Sequence, residues 1–187
     1  MRGHLFIFSG PSGVGKGTVR ARVFENADNM EYSVSCTTRS PRPGDVAGRD
    51  YYFLSEDDFH RQIDEGLFLE WADVHGHFYG TRRDIVEQTL DSGKDMMLEI
   101  DVQGALQIKK KMPEAITVFL APPSFEELER RLRGRGTDSE ESIKTRLANA
   151  KKELACEPEY DYTIVNNTVD EAAEEFIKLI NSYRREK

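Results

Sequence analysis

The chain has 187 residues, 38% of them hydrophobic and 32% charged, with a formal net charge of −8. That length suits one domain with a substantial core, and the composition excludes a disordered or membrane-embedded chain. An acidic surface repels polyanions, which argues against a general nucleic-acid binder.

Cys36 and Cys156 lie far apart, without metal-ligand spacing, and read as ordinary reduced thiols. The apolar run Leu5–Phe8 is too short for a signal peptide, and no run approaches the ~18 residues of a membrane span. A cytoplasmic protein without membrane partners is expected.

Leu5–Phe8 predicts the first buried strand, and the glycine-rich stretch GPSGVGKGT at residues 10–18 leads from it into a helix. Residues 33–80 then break the strand–helix rhythm. SVSCTT, DYYFL and LFLEWADV predict short strands with one helix between them, a small mixed insertion. Met96–Ile100, Ile116–Leu120 and Tyr162–Val165 predict further buried strands. Capping boxes at Ser55/Asp58, Thr81/Asp84, Ser124/Glu127 and Thr168/Glu171 predict helix starts, and Gly66, Gly93 and Gly134 predict helix ends.

Residues 124–155 read as two helices joined by RGRGTD, a candidate lid. In the last helix Ala172, Phe176, Leu179, Ile180 and Tyr183 recur at helical spacing and predict a packing face. The expected class is α/β, a doubly wound parallel sheet with two appended pieces. Its core would comprise residues 1–32, 81–123 and 156–187, with the insertion at 33–80 and the lid near 124–155.

Gly10-x-x-x-x-Gly15-Lys16 satisfies most of the phosphate-loop pattern between a strand and a helix. Glycines at Gly10, Gly13, Gly15 and Gly17, with Pro11, Ser12, Val14 and Thr18 between and after them, let backbone N–H groups converge on phosphate oxygens at a helix N-terminus. Lys16 adds a mobile cation for the β- and γ-phosphates. Gly17 stands where the pattern carries Ser or Thr, so the hydroxyl falls one position later. Thr18 becomes the Mg2+-side candidate, directly or through water.

Arg39 and Arg42 flank Ser40-Pro41, with Tyr51 nearby in sequence, which suits one phosphate monoester. His75 and His77 share a strand face, but no third ligand accompanies them, so surface roles are expected. Glu99 and Asp101 end a core strand where open α/β sheets bind ligands.

Together GPSGVGKGT, VSCTTRSPRPGD, GRDYYF, FLEW, YGT, LEIDVQGA, APPS, RLRGRGTDSEESIKTRL and IVNN make the chain resemble the guanylate kinase family across residues 4–185. The resemblance implies a P-loop nucleoside monophosphate kinase fold and direct in-line transfer of a phosphoryl group from ATP, with Mg2+, to GMP and also dGMP. It places GMP-phosphate contacts on Arg39, Arg42, Tyr51 and Tyr79, and guanine contacts on Ser35, Glu70 and Thr81. Asp101 borders both substrates and Mg2+. Arg131, Arg135 and Arg146 of the lid are aimed at the phosphates, with Lys16, Arg42, Arg135 and Arg146 in catalytic roles. Asn166 and Asn167 fall at the ATP adenine.

Glu70 has an independent rationale. Guanine offers N1–H and its 2-amino group as adjacent donors to one carboxylate, whereas adenine would leave a buried acceptor unpaired at about 1–3 kcal/mol. Two alternatives stay open: a kinase for UMP, CMP or AMP, and a peptide-binding module of the same fold without catalysis. Self-association is also left open.

Overall fold

The computed structural model describes residues 1–74, 76–134, 136 and 139–185. The chain runs β1 (Leu5–Ser9), α1 (Lys16–Phe24), β2 (Met30–Tyr32), β3 (Cys36–Thr37), β4 (Tyr52–Phe53), α2 (Glu56–Asp64), β5 (Phe68–Val74) and β6 (His77–Arg82). It continues through α3 (Arg83–Asp91), β7 (Asp95–Glu99), α4 (Val102–Lys111), β8 (Ile116–Ala121), α5 (Phe125–Gly134), α6 (Glu140–Leu154), β9 (Tyr162–Val165) and α7 (Val169–Arg185).

Among the described residues the larger sheet has the order β2-β7-β1-β8-β9 and is parallel throughout. Alternation along β1 sends Phe6 and Phe8 to one face, where α1, α5 and α7 bring Val19, Val23, Leu128, Leu132, Phe176 and Ile180. Leu5 and Ile7 face the other side and meet Val86 and Leu90 of α3 and Ala105 and Ile108 of α4. Helices on both faces explain why these strands are apolar without interruption. The strand order reverses at β1, between β7 and β8, so the carboxyl ends of β1 and β7 border the crevice where such sheets take ligands.

A second sheet, β4-β3-β6-β5, is built from residues 36–82 and packs around Phe59, Phe68 and Cys36. Its β6 strand includes His77, as the shared strand face expected of the HGHF stretch implies, and runs on through Tyr79 and Thr81 to Arg82. The β2 edge strand was absent from the sequence reading, because MEY lacks an apolar run.

Three of the predicted caps form: the hydroxyls of Ser55, Ser124 and Thr168 accept from the N–H groups of Asp58, Glu127 and Glu171. The fourth does not. Strand β6 continues through Arg82, which occupies the N-cap position of α3, and the Thr81 hydroxyl turns inward to Glu70.

Candidate active site

The phosphate loop leaves β1 at the centre of the sheet. Gly13 and Gly15 have φ values of 85° and 97°, a region that L side chains rarely adopt. A Cβ at Gly13 would also lie 2.5 Å from the Leu132 side chain, so helix α5 packs directly on the loop. The Lys16 ammonium donates to the carbonyls of Gly10 and Pro11 at 2.6 and 3.2 Å. Burial pushes the Lys16 pKa down, and Glu99, Glu153 and Asp101 oppose that shift.

Beside the loop lies a recess of about 300 Å³, lined by Ser35, Tyr51, Glu70, Tyr79, Glu99 and Asp101 among others. Glu70 and Thr81 are register partners on β5 and β6, and both are buried. The Thr81 hydroxyl donates to Glu70 Oε1 at 2.6 Å. Burial pushes the Glu70 pKa up to about 7, against the lowering effect of that hydrogen bond. Period-two alternation puts Tyr79 on the same face of β6 as Thr81.

Tyr79 also borders an adjoining recess with Arg39 and Arg42. Arg39 is buried, donates to Asp45 at 2.9 Å and to the Ser40 carbonyl at 2.8 Å, and lies 5.3 Å from the Tyr51 ring centroid. The Arg42 backbone N–H donates to the same Asp45 carboxylate at 2.7 Å; this bond, with the Arg39 guanidinium, holds that carboxyl below its ordinary range. Asp45 therefore folds the Arg39–Arg42 turn, while the Arg42 residue lies exposed at the rim.

On the far side of the loop, Gly13, Val14, Gly15, Thr18, Arg131, Asn166 and Asn167 line a third recess. Asn166 is buried; its side-chain amide donates to the Val14 carbonyl at 2.7 Å, and its own carbonyl accepts from Arg131 at 3.0 Å. It braces the loop, and Asn167 is the exposed member of the pair. Arg146 lies half-buried on α6, whereas Arg135 and His75 are outside the described residues. Arg130 pairs with Glu127, and Arg133 pairs with Glu129 and Glu140, as expected of solvated helix residues.

The two Mg2+-side candidates are not brought together, for Thr18 faces the Asn166 recess and Asp101 the Glu70 recess. Asp101 Oδ1 caps α4 through Gly104 N–H, and Glu99 Oε2 accepts from Arg20 at 2.7 Å. Among the described residues no cluster of three or more His, Cys, Asp or Glu could hold a metal. This donor set fits a hard cation delivered on nucleotide phosphates, not an all-protein cage.

Sequence reasoning did not single out Arg20 or Glu153. Arg20 stands one helical turn after Lys16 and also covers the Tyr32 ring at 4.4 Å; the i,i+4 spacing was a usable signal. Glu153 accepts from Ser12 N–H of the loop at 3.3 Å, across 141 residues, and no spacing announces such a contact.

A phosphate loop at the switch point of a doubly wound parallel sheet, with a carboxylate-floored recess beside it, defines a P-loop nucleotide-binding protein. Comparison with known proteins narrows the class. The guanylate kinase family model matches residues 2–183. Guanylate kinase of Lactococcus lactis is 57% identical over 181 residues, covering 97% of this chain and 88% of that protein. Guanylate kinase of Streptococcus thermophilus is 55% identical over 182 residues, covering 97% and 87%. The crystal structure of guanylate kinase from Anaplasma phagocytophilum superposes with a TM-score of 0.78 at 35% identity, covering 97% of this chain and 86% of that one. The chain belongs to the guanylate kinase family. No described helix is long and apolar enough to cross a membrane.

Proposed function

We propose that the protein transfers the terminal phosphoryl group of ATP to the phosphate of GMP, giving ADP and GDP, and that dGMP serves as a second acceptor. The observation that carries the acceptor assignment is the pairing of two recesses through Tyr79. One has a buried carboxylate suited to the donor edge of guanine, and the other has two arginines suited to a phosphate monoester.

In this reading Glu70, Thr81 and Ser35 address the base, and Arg39, Arg42, Tyr51 and Tyr79 the monophosphate. The backbone N–H groups of residues 10–18 and Lys16 cradle the phosphates of ATP. Arg131, Asn166 and Asn167 line the side toward its adenosine. Arg146 approaches the transferring phosphoryl group from the lid at 124–155, the family resemblance assigns Arg135 the same charge-neutralising role, and the insertion at 33–80 holds the acceptor on the core. Phosphoryl transfer requires alignment and neutralisation of charge, not a covalent enzyme group. Asp101 and Glu99 are the carboxylates that would hold Mg2+, through its waters, when the ion arrives with ATP; it would neutralise charge between the phosphates. Closure of the lid would exclude the water that competes for the phosphoryl group.

A panel of GMP, dGMP, AMP, CMP and UMP, with ADP release as the readout, tests the reading. GMP and dGMP should be the preferred acceptors. Faster turnover of any non-guanine nucleotide would overturn the assignment.

A further inference from the structure

Gly104 is buried in the first turn of α4, where glycine costs about 0.5–1 kcal/mol relative to alanine. Its backbone is not left-handed, so conformation gives no reason for it. Space does. A Cβ at this position would stand 3.0 Å from Glu70 Oε2, 3.3 Å from Glu70 Cδ and 3.3 Å from Asp101 Oδ1.

Neither side of this contact is free to yield. Glu70 Oε1 is tied to Thr81, and the residue is only 6% exposed. Helix α4 is tied to β5 along the same face: Gln107 donates to the Trp71 carbonyl at 3.4 Å, and Lys111 to the Leu69 carbonyl at 2.6 Å. Positions 104, 107 and 111 follow helical spacing, so the bonds that fix the helix–strand distance lie in line with the glycine.

We infer that Gly104 is a positioning residue for guanine specificity: its missing side chain is the room in which Glu70 Oε2 is held. The inference rests on the assignment of Glu70 as the guanine acceptor.

Gly104→Ala tests it through steady-state kinetics and thermal unfolding, alone and combined with Glu70→Ala. Displacing one carboxylate oxygen should raise KM for GMP about tenfold, the size of one well-made hydrogen bond, with KM for ATP little changed. The melting temperature should fall on the parent background, because the added Cβ presses on a carboxylate that Thr81 holds, and Glu70→Ala should restore it. On the Glu70→Ala background the same substitution should leave KM for GMP where Glu70→Ala alone puts it. A purely structural role for Gly104 would lower stability on both backgrounds and leave KM unmoved, which overturns the inference. An unfolded Gly104→Ala protein that Glu70→Ala does not rescue overturns it equally, by placing the clash elsewhere. If Glu70→Ala alone leaves KM for GMP unchanged, the guanine assignment fails first. If Glu70→Ala raises it and Gly104→Ala does not, only the present inference fails.

Discussion

The Thr81 hydroxyl donates to Glu70 Oε1 at 2.6 Å, between register partners on adjacent strands, and this bond turns one oxygen of a buried carboxylate into a fixed point. Beside it a recess opens that is large enough for a purine base. In the proposed reading this pair addresses the guanine of the acceptor.

Replacing Glu70 by Gln separates recognition from stability. Gln exchanges one acceptor oxygen for a donor that opposes the guanine N–H groups, so kcat/KM for GMP should fall about 10²-fold or more. Stability should move the other way. The Glu70 pKa is raised from 4.5 to about 7, so the native state keeps its proton more tightly than the unfolded chain. The stabilisation is complete below pH 4.5 and is lost as pH rises through about 7. At pH 8 the Gln variant should therefore melt higher than the parent, by up to roughly 3 kcal/mol in stability. Differential scanning calorimetry at pH 5 and pH 8 checks this, with the gap expected only at the higher pH.

The same titration should appear in substrate binding. Guanine requires the ionised carboxylate, so KM for GMP should climb as pH falls below about 7, approaching tenfold per unit. KM for ATP should not follow that curve, and the Gln variant should lose it. A pH profile of both constants between pH 5.5 and 8.5 is the measurement.

Arg39 and Arg42 should respond differently to removal. Arg39 is built into the fold through Asp45, Ser40 and the Tyr51 ring, so Arg39→Ala should raise KM for GMP and also lower stability by about 1–2 kcal/mol. Arg42 is exposed, so Arg42→Ala should weaken GMP with little change in melting temperature. Equal melting losses in the two variants would contradict this division.

On the donor side, Lys16→Met should lower kcat about 10²–10³-fold, by removing a charge from the developing transition state. Arg146→Ala should cost a similar or larger factor. Burial of the half-buried Lys16 lowers its pKa by more than the neighbouring carboxylates raise it, so the charge does not stabilise the fold and its removal should not destabilise the protein. Single-turnover kinetics with saturating ATP and GMP separates these effects from binding.

The phosphate loop and the principal core strands could be read locally because their signals are local. Backbone N–H groups can converge on phosphate only if glycines stand close together in sequence, and a strand covered on both faces must be apolar throughout. Ser55, Ser124 and Thr168 cap their helices for the same reason, since a cap and its N–H group are three residues apart. Thr81 carried the same local signature and was drawn elsewhere. A buried carboxylate eleven residues upstream competed for its hydroxyl, and a buried acceptor needs the bond more than a solvated helix end does.

What lay beyond the sequence belongs to contacts between distant segments. Arg20 reaches Glu99 across 79 residues, Ser12 reaches Glu153 across 141, and Asn166 bolts Val14 in place across 152. Residue types and spacing pointed to nucleotide phosphates, and the run of family motifs pointed to guanine. Only the packing of α4 against β5 brings Gly104 against Glu70 Oε2, and only the assembled fold buries Glu70 enough to raise its pKa. Burial and ångström-scale clearance are properties of the assembled molecule, and no local pattern of residues encodes them.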